Sequence, residues 1–516
     1  MATSAQVTGA WILLAIYIIA VLYLVFKGAG KTKNISDYAL GSVLFSPIAV
    51  GLSLAASMTS AATFVINPGF IANFGISGVL SYAVFLPLAS MISLVVLTKS
   101  FRKHGQTVKA LTLAQWIGKR YESKSYAFFM GLLALLLITF IVLIVVALTK
   151  VISQALNLEE INVMITLVLF VFGYMMYGGA NSMVYTNTIQ AAVMLIVAVI
   201  LLTSGFEHFS DGVHGFLDKL AAIDPLLAKP INPESPLFRN LYEIIFAQLI
   251  VGVAIVVQPH IITKSLLLKK ESDVNKFLIT AVIAEMLFFA VVIAGLYARL
   301  TFPDLQLNGE PLANDNIIPA YVLQVFADGT LAVIIGLFVV LGLIAAGMST
   351  LEGLIQSVST TITSDLIQPM MGRKILTDIA LIKINKTSIV AMAAVTIYLA
   401  YGQLLNPKLS VGIFAQNGVY AYFSAAFVPV IFGVFFKHVR VQTVFAASIA
   451  AIAVHFLVYY GLPLLHQQQP LSLGYFTTFI EGKVRNPAIA ASSAIVISTL
   501  TGLIWHVFNK KKLITA

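Results

Sequence analysis

Residues 55–63 read Ala55-Ala56-Ser57-Met58-Thr59-Ser60-Ala61-Ala62-Thr63, followed by Asn67-Pro68-Gly69. They sit in an apolar segment, 47–66. A bilayer core of ~30 Å takes about 20 apolar residues as helix. A spanning helix of this length is ordinarily Leu-rich, yet small and hydroxyl side chains dominate here. Two readings fit. Small residues let membrane helices pack closely. Alternatively, the helix unwinds at its midpoint and frees carbonyls for a cation.

The surrounding chain says that this is a membrane protein. Of its 516 residues 59% are hydrophobic and only 10% charged, with mean hydropathy +0.96, whereas soluble proteins carry about 25% charge. Cysteine is absent, so disulfides and thiolate chemistry are excluded. Thirteen segments are candidates to span: 7–26, 47–66, 78–98, 126–155, 161–177, 185–205, 241–263, 275–299, 330–364, 387–404, 411–435, 441–461 and 487–508. They are called spans one to thirteen. The first residues carry no basic group, so span one reads as retained rather than as a cleaved leader.

The net charge of +10 belongs to short loops and not to a nucleic-acid surface. With the N-terminus outside, 23 of the 31 lysines and arginines fall on the inner side, among them Lys99, Arg102, Lys103, Lys109, Lys264, Lys269, Arg373, Lys374 and Lys510 to Lys512. The C-terminus is then cytoplasmic and the protein sits in the cell (inner) membrane. The outer loop 206–240, rich in Pro and Asp, is expected on the surface with little regular structure. No large soluble domain fits, so residues 1–516 form one transmembrane domain.

Polar residues inside spans are costly and need reasons. Span nine holds Ala346, Ser349, Thr350 and Gly353 at i, i+3, i+4 and i+7, on one helix face, with Glu352 beside them. Two adjacent hydroxyls suit a hard cation, or they bond back to their own helix. Span seven holds Gln258-Pro259-His260, where proline breaks the helix. Span six follows Gly178-Gly179 with Thr186, Asn187 and Gln190; helix capping by Asn187 is a competing reading. Glu285 is a second intramembrane acid. Gln416, Asn417 and Tyr420 are read as sharing one face of span eleven.

Taken in order, Asp37-Tyr38-x-Leu40-Gly41, the stretch 55–63, Gly178-Gly179…Thr186-x-x-x-Gln190, Gln258-Pro259-His260 and Ala345-Ala346-x-Met348-Ser349-Thr350 resemble the sodium:solute symporter family. The resemblance implies an all-α, inverted-repeat (LeuT-like) fold with about 13 transmembrane helices. Span one (7–26) is extra, 47–205 is the first repeat, 241–435 the second, and 441–508 holds extra C-terminal spans. Each repeat's first helix is expected to break near the midplane. The resemblance also implies a sodium ion held by carbonyls of Ala56, Thr59 and Ala346 and hydroxyls of Ser349 and Thr350.

Some positions depart from the family. Met58 stands where the proline transporters carry aspartate, and Asn187 where many members do. Glu352 and Asn187 are therefore a possible second cation or proton site, with the carboxylate moved between helices. The substrate pocket is expected beside Ser60, Ala61 and Thr63, facing Tyr82, Gln258, His260, Gln416 and Asn417. These groups suit a small carboxylate or amino acid, which could lie against half-helix N-termini and His260. A sugar, or a proton-coupled carrier of the same fold, is the alternative. A channel lacks visible filter rings, and no catalytic or metal-ligand spacing supports an enzyme.

Overall fold

The computed structural model describes residues 2–41, 45–108, 110–268, 270–371, 377–406 and 410–514. Among these, the only strands form one hairpin, Gln306–Leu307 against Glu310–Pro311. Ten helices are long and apolar enough to cross a membrane. Two bent pairs bring the number to twelve if each is one span, and the shorter apolar helix Glu160–Met175, of 16 residues, lies where the thirteenth was expected. The spans are Ser4–Ala29, the pair Pro47–Met58 and Ala62–Phe74, then Ile76–Arg102, Lys124–Leu156, Glu160–Met175 and Ala180–Thr203. The pair Tyr242–Ile255 and Pro259–Leu267 follows, then Glu271–Thr301, Thr330–Met371, Asp378–Leu405, Val411–Phe435, Val441–Gln468 and Pro487–Phe508.

The element order recurs. Bent span two leads to span three, a short helix Leu113–Arg120, and spans four to six. Bent span seven leads to span eight, a short helix Ile317–Val325, and spans nine to eleven. Spans two and seven bend by 53° and 57°.

Each break has a local cause. In span seven Gln258 is extended (φ −62°, ψ 137°) because the next residue is Pro259. Proline disfavours helical backbone before it and has no N–H to give. Span two has no proline at its break. There Thr59 turns extended (φ −104°, ψ 104°), and its hydroxyl and its N–H both donate to Ala55 O, at 2.6 and 3.0 Å. Side-chain hydroxyls that bond backbone in this way compete with the helix ladder. The second half restarts where Ser60 Oγ accepts from Ala62 N at 3.0 Å.

Two expectations need correction. Segment 206–240 is neither irregular nor merely superficial. It contains helix Gly212–Ile223 and buries Phe216, Leu220, Leu227, Leu237 and Phe238. Its apolar residues fold it onto the bundle, where Gly75 takes φ +72° directly under Leu227. Nor are all the inner-side cations loop residues. Lys264 and Arg102 are both buried, Arg102 giving Nη2 to Leu268 O at 3.1 Å. Lys109, Lys269, Arg373 and Lys374, and the side chains of Lys103 and Lys510 to Lys512, lie outside the described residues.

Candidate functional site

The break in span two leaves carbonyls without helical donors, and buried backbone carbonyls need partners. Span nine supplies them. Ser349 Oγ lies 2.7 Å from Ala56 O and 3.0 Å from Ala346 O. Thr350 Oγ1 lies 3.3 Å from both Ala56 O and Ser57 O. Four of the five residues expected to hold sodium therefore meet, and Thr59 marks the break beside them. All five are fully buried. Their oxygens are uncharged and hard, a donor set that fits an alkali cation better than a softer metal. Gly347, two residues earlier, lets span nine close on span four: a Cβ there would lie 2.6 Å from Leu148 Cδ2.

At the break in span seven, the short segment Pro259–Ile262 packs on spans two and nine. A Cβ on Gly353 would stand 3.6 Å from both His260 Cβ and Ser57 Oγ. His260 is buried beside Phe140, with ring centroids 6.3 Å apart. Among the described residues neither of its ring nitrogens has a partner, and Gln258 Oε1 has none either. Gln258 Nε2 donates to Ile255 O at 3.1 Å. Buried polar atoms are nearly always paired, so these atoms are available to a polar partner.

Tyr82 stands edge-on to Phe238 at 5.3 Å, near Phe70. Ser60, Ala61 and Thr63 are buried at the start of the second half of span two. Asn417 points elsewhere. Its amide nitrogen donates to Tyr460 at 2.7 Å and its oxygen meets His455 Nε2 at 2.9 Å, both on span twelve. One step along a helix is about 100° of rotation, so Gln416 and Asn417 do not share a face.

The acid on span nine has a shell of donors. Tyr174 gives its hydroxyl to Glu352 Oε1 at 2.7 Å, Gln190 Nε2 lies 3.3 Å from the same oxygen, and Thr186 donates to Oε2. Tyr17 joins through Gln190 at 2.9 Å. Asn187 lies within the helix and caps nothing. Its amide is satisfied when its nitrogen donates to Gln190 Oε1 at 3.0 Å and Glu352 Oε2 at 3.3 Å. Its oxygen then accepts from Lys264 Nζ and Ser57 Oγ, both at 3.1 Å. The reverse orientation would aim an N–H at the ammonium, so the network assigns this one. Lys264 also reaches Ser53 O and Ser53 Oγ, at 2.7 Å each. Sequence reasoning missed Lys264, Ser53, Tyr174 and Tyr17. One signal was available: if the helix resumes at Pro259, positions 260 and 264 share a face. Glu285 is buried in span eight, both oxygens unpartnered among the described residues, and takes no part in these contacts.

Comparison with known proteins bears on the whole arrangement. Residues 38–451 match the model of the sodium:solute symporter family. The chain is 25% identical to the sodium/pantothenate symporter of Haemophilus influenzae over 350 residues, covering 66% of this chain and 68% of that one. It is 25% identical to a sodium/proline symporter of Staphylococcus aureus over 487 residues, covering 90% and 89%. Among solved structures, a Na+-coupled sialic acid symporter in a substrate-bound outward-open state superposes with TM-score 0.73. That match covers 96% of this chain and 97% of the other at 17% identity, which establishes a common fold. The chain belongs to the sodium:solute symporter family, and is a sodium-coupled membrane transporter of a small solute with the LeuT-like fold, not an enzyme.

Proposed function

We propose that this transporter moves a small carboxylate or amino acid together with sodium held by Ala56, Thr59, Ala346, Ser349 and Thr350. The observation that carries the reading is the meeting of Ser349 Oγ and Thr350 Oγ1 with Ala56 O, at 2.7 and 3.3 Å. The ligands come from spans two and nine, one in each proposed repeat, 47–205 and 241–435. An ion bound between them favours whichever arrangement of the halves brings the two helices together. Coupling needs such a differential preference and nothing more. Rocking of the halves around this point then exposes the site to each side in turn.

The substrate lies against Ser60, Ala61, Thr63, Tyr82, Gln258, His260 and Gln416. A buried polar atom left unpaired costs about 1–3 kcal/mol, so a substrate that pairs with Gln258 Oε1 and the His260 nitrogens gains specificity as well as affinity. A carboxylate accepts from a His N–H. Relatives named for pantothenate and proline, and a fold neighbour named for sialic acid, all handle molecules with a carboxyl group. The protein lies in the inner membrane with its N-terminus outside and its C-terminus in the cytoplasm, as the excess of lysine and arginine in the inner loops favours.

The test is thermal stability of the purified protein with a panel of carboxylates, amino acids and sugars, in sodium chloride or choline chloride. A ligand of the native state raises the melting temperature. Stabilisation by a carboxylate only in sodium supports the reading. Stabilisation by a sugar alone, or equally in choline, rejects it.

A further inference from the structure

Resting on the sodium site above, we propose that Lys264 is a built-in cation. Its ammonium occupies the position that a second transported ion would take, so the protein binds a single sodium. The position lies one turn from the first site: Ser53 is three residues before Ala56, and Glu352 is two after Thr350.

The geometry is that of a coordinated ion. Lys264 Nζ has three oxygen neighbours, Ser53 O and Ser53 Oγ at 2.7 Å and the Asn187 amide oxygen at 3.1 Å. An ammonium has three N–H donors and no acceptor, so its hydrogen-bonding capacity is matched in full. The oxygens come from spans two and six, and the cation from the second half of span seven. Burying a charge demands a counter-charge, and Glu352 on span nine provides it. Asn187 stands between them, turning its oxygen to Lys264 and its nitrogen to Glu352 Oε2 at 3.3 Å. Only an amide serves both at once. A carboxylate at 187 would have no donor for Glu352 and would set a second negative charge against it. Tyr174, Thr186 and Gln190 hold the far side of Glu352.

A sodium ion entering this position would have to displace a tethered ammonium from the same oxygens. The tether keeps the ammonium's local concentration high whatever the salt outside. Removing the ammonium leaves Ser53, Asn187 and the Glu352 carboxylate as an oxygen site with a negative charge and no cation.

The test counts ions, with sodium alone as the probe. Equilibrium binding of radioactive sodium to the purified full-length protein is measured at saturation. The expected counts are one per chain for the wild type, two for Lys264→Met, and one again for Lys264→Met/Glu352→Gln. A wild-type count of two overturns the inference even if neither variant folds. So does a folded Lys264→Met that still binds one. A wild-type count of zero removes the Ala56–Thr350 site itself and this inference with it, so the two failures are distinct.

Discussion

Replacing Ser349 with alanine separates a ligand from a packing group. Ser349 Oγ lies 2.7 Å from Ala56 O and 3.0 Å from Ala346 O. In the sodium-free protein its removal costs a buried hydrogen bond, about 0.5–1.5 kcal/mol. Thr350 Oγ1 stays 3.3 Å from Ala56 O and softens that loss. With sodium bound, an oxygen facing a charge disappears. Contacts to charged groups are worth about 1.5–3 kcal/mol, or roughly 10- to 150-fold in affinity. Sodium at about 100 times its dissociation constant stabilises the native state by about 2.7 kcal/mol. After a 100-fold loss of affinity the same concentration gives about 0.4 kcal/mol. The assay is melting temperature against sodium chloride, with choline chloride holding ionic strength constant. Ser349→Ala is expected to melt slightly lower without sodium and to lose most of the sodium-induced rise. Thr350→Val, which keeps the side-chain shape, should follow it. A Ser349→Ala protein that melts lower by the same amount at every sodium concentration refutes the ligand role.

Gly75→Ala forces a side chain into φ +72°, with its Cβ 2.1 Å from Leu227 O. That backbone region costs about 1–3 kcal/mol for other residues, so segment 206–240 should lift away and be cut faster by protease added outside. Arg239→Ala leaves Glu243, fully buried and paired with Arg239 Nη2 at 2.6 Å, without its cation. The loss should be about 3–5 kcal/mol, and Arg239→Ala/Glu243→Gln should melt higher than Arg239→Ala alone. The chain has no cysteine of its own, so single cysteines report sidedness directly. In intact cells an impermeant maleimide should label Lys483→Cys and not Lys437→Cys, both exposed positions; the opposite pattern would invert the orientation.

Features written as local chemistry are legible in the sequence alone. Hydrophobic length marks the long spans, and Pro259 marks the bend in span seven. Hydroxyls at 349 and 350 stand out as an adjacent polar pair in an apolar helix. Features that depend on which helix faces which are not legible. Lys264 follows two apolar isoleucines and a threonine and precedes Leu266, Leu267, Leu268 and two more lysines. By position it reads as the first charge of a loop. Its burial is decided by Ser53, 211 residues away, and by Asn187 on a third helix. Asn417 fails in the reverse sense: its partners His455 and Tyr460 lie on the next span, so a polar residue that looks available is already taken. Segment 206–240 fails by averaging. Its acids and prolines set the mean, while Phe216, Leu220, Leu227 and Phe238 set the fold. The first two errors share one cause. A polar or charged group inside a membrane protein is explained by its partner, and the partner is a property of the packed helices rather than of the neighbouring sequence.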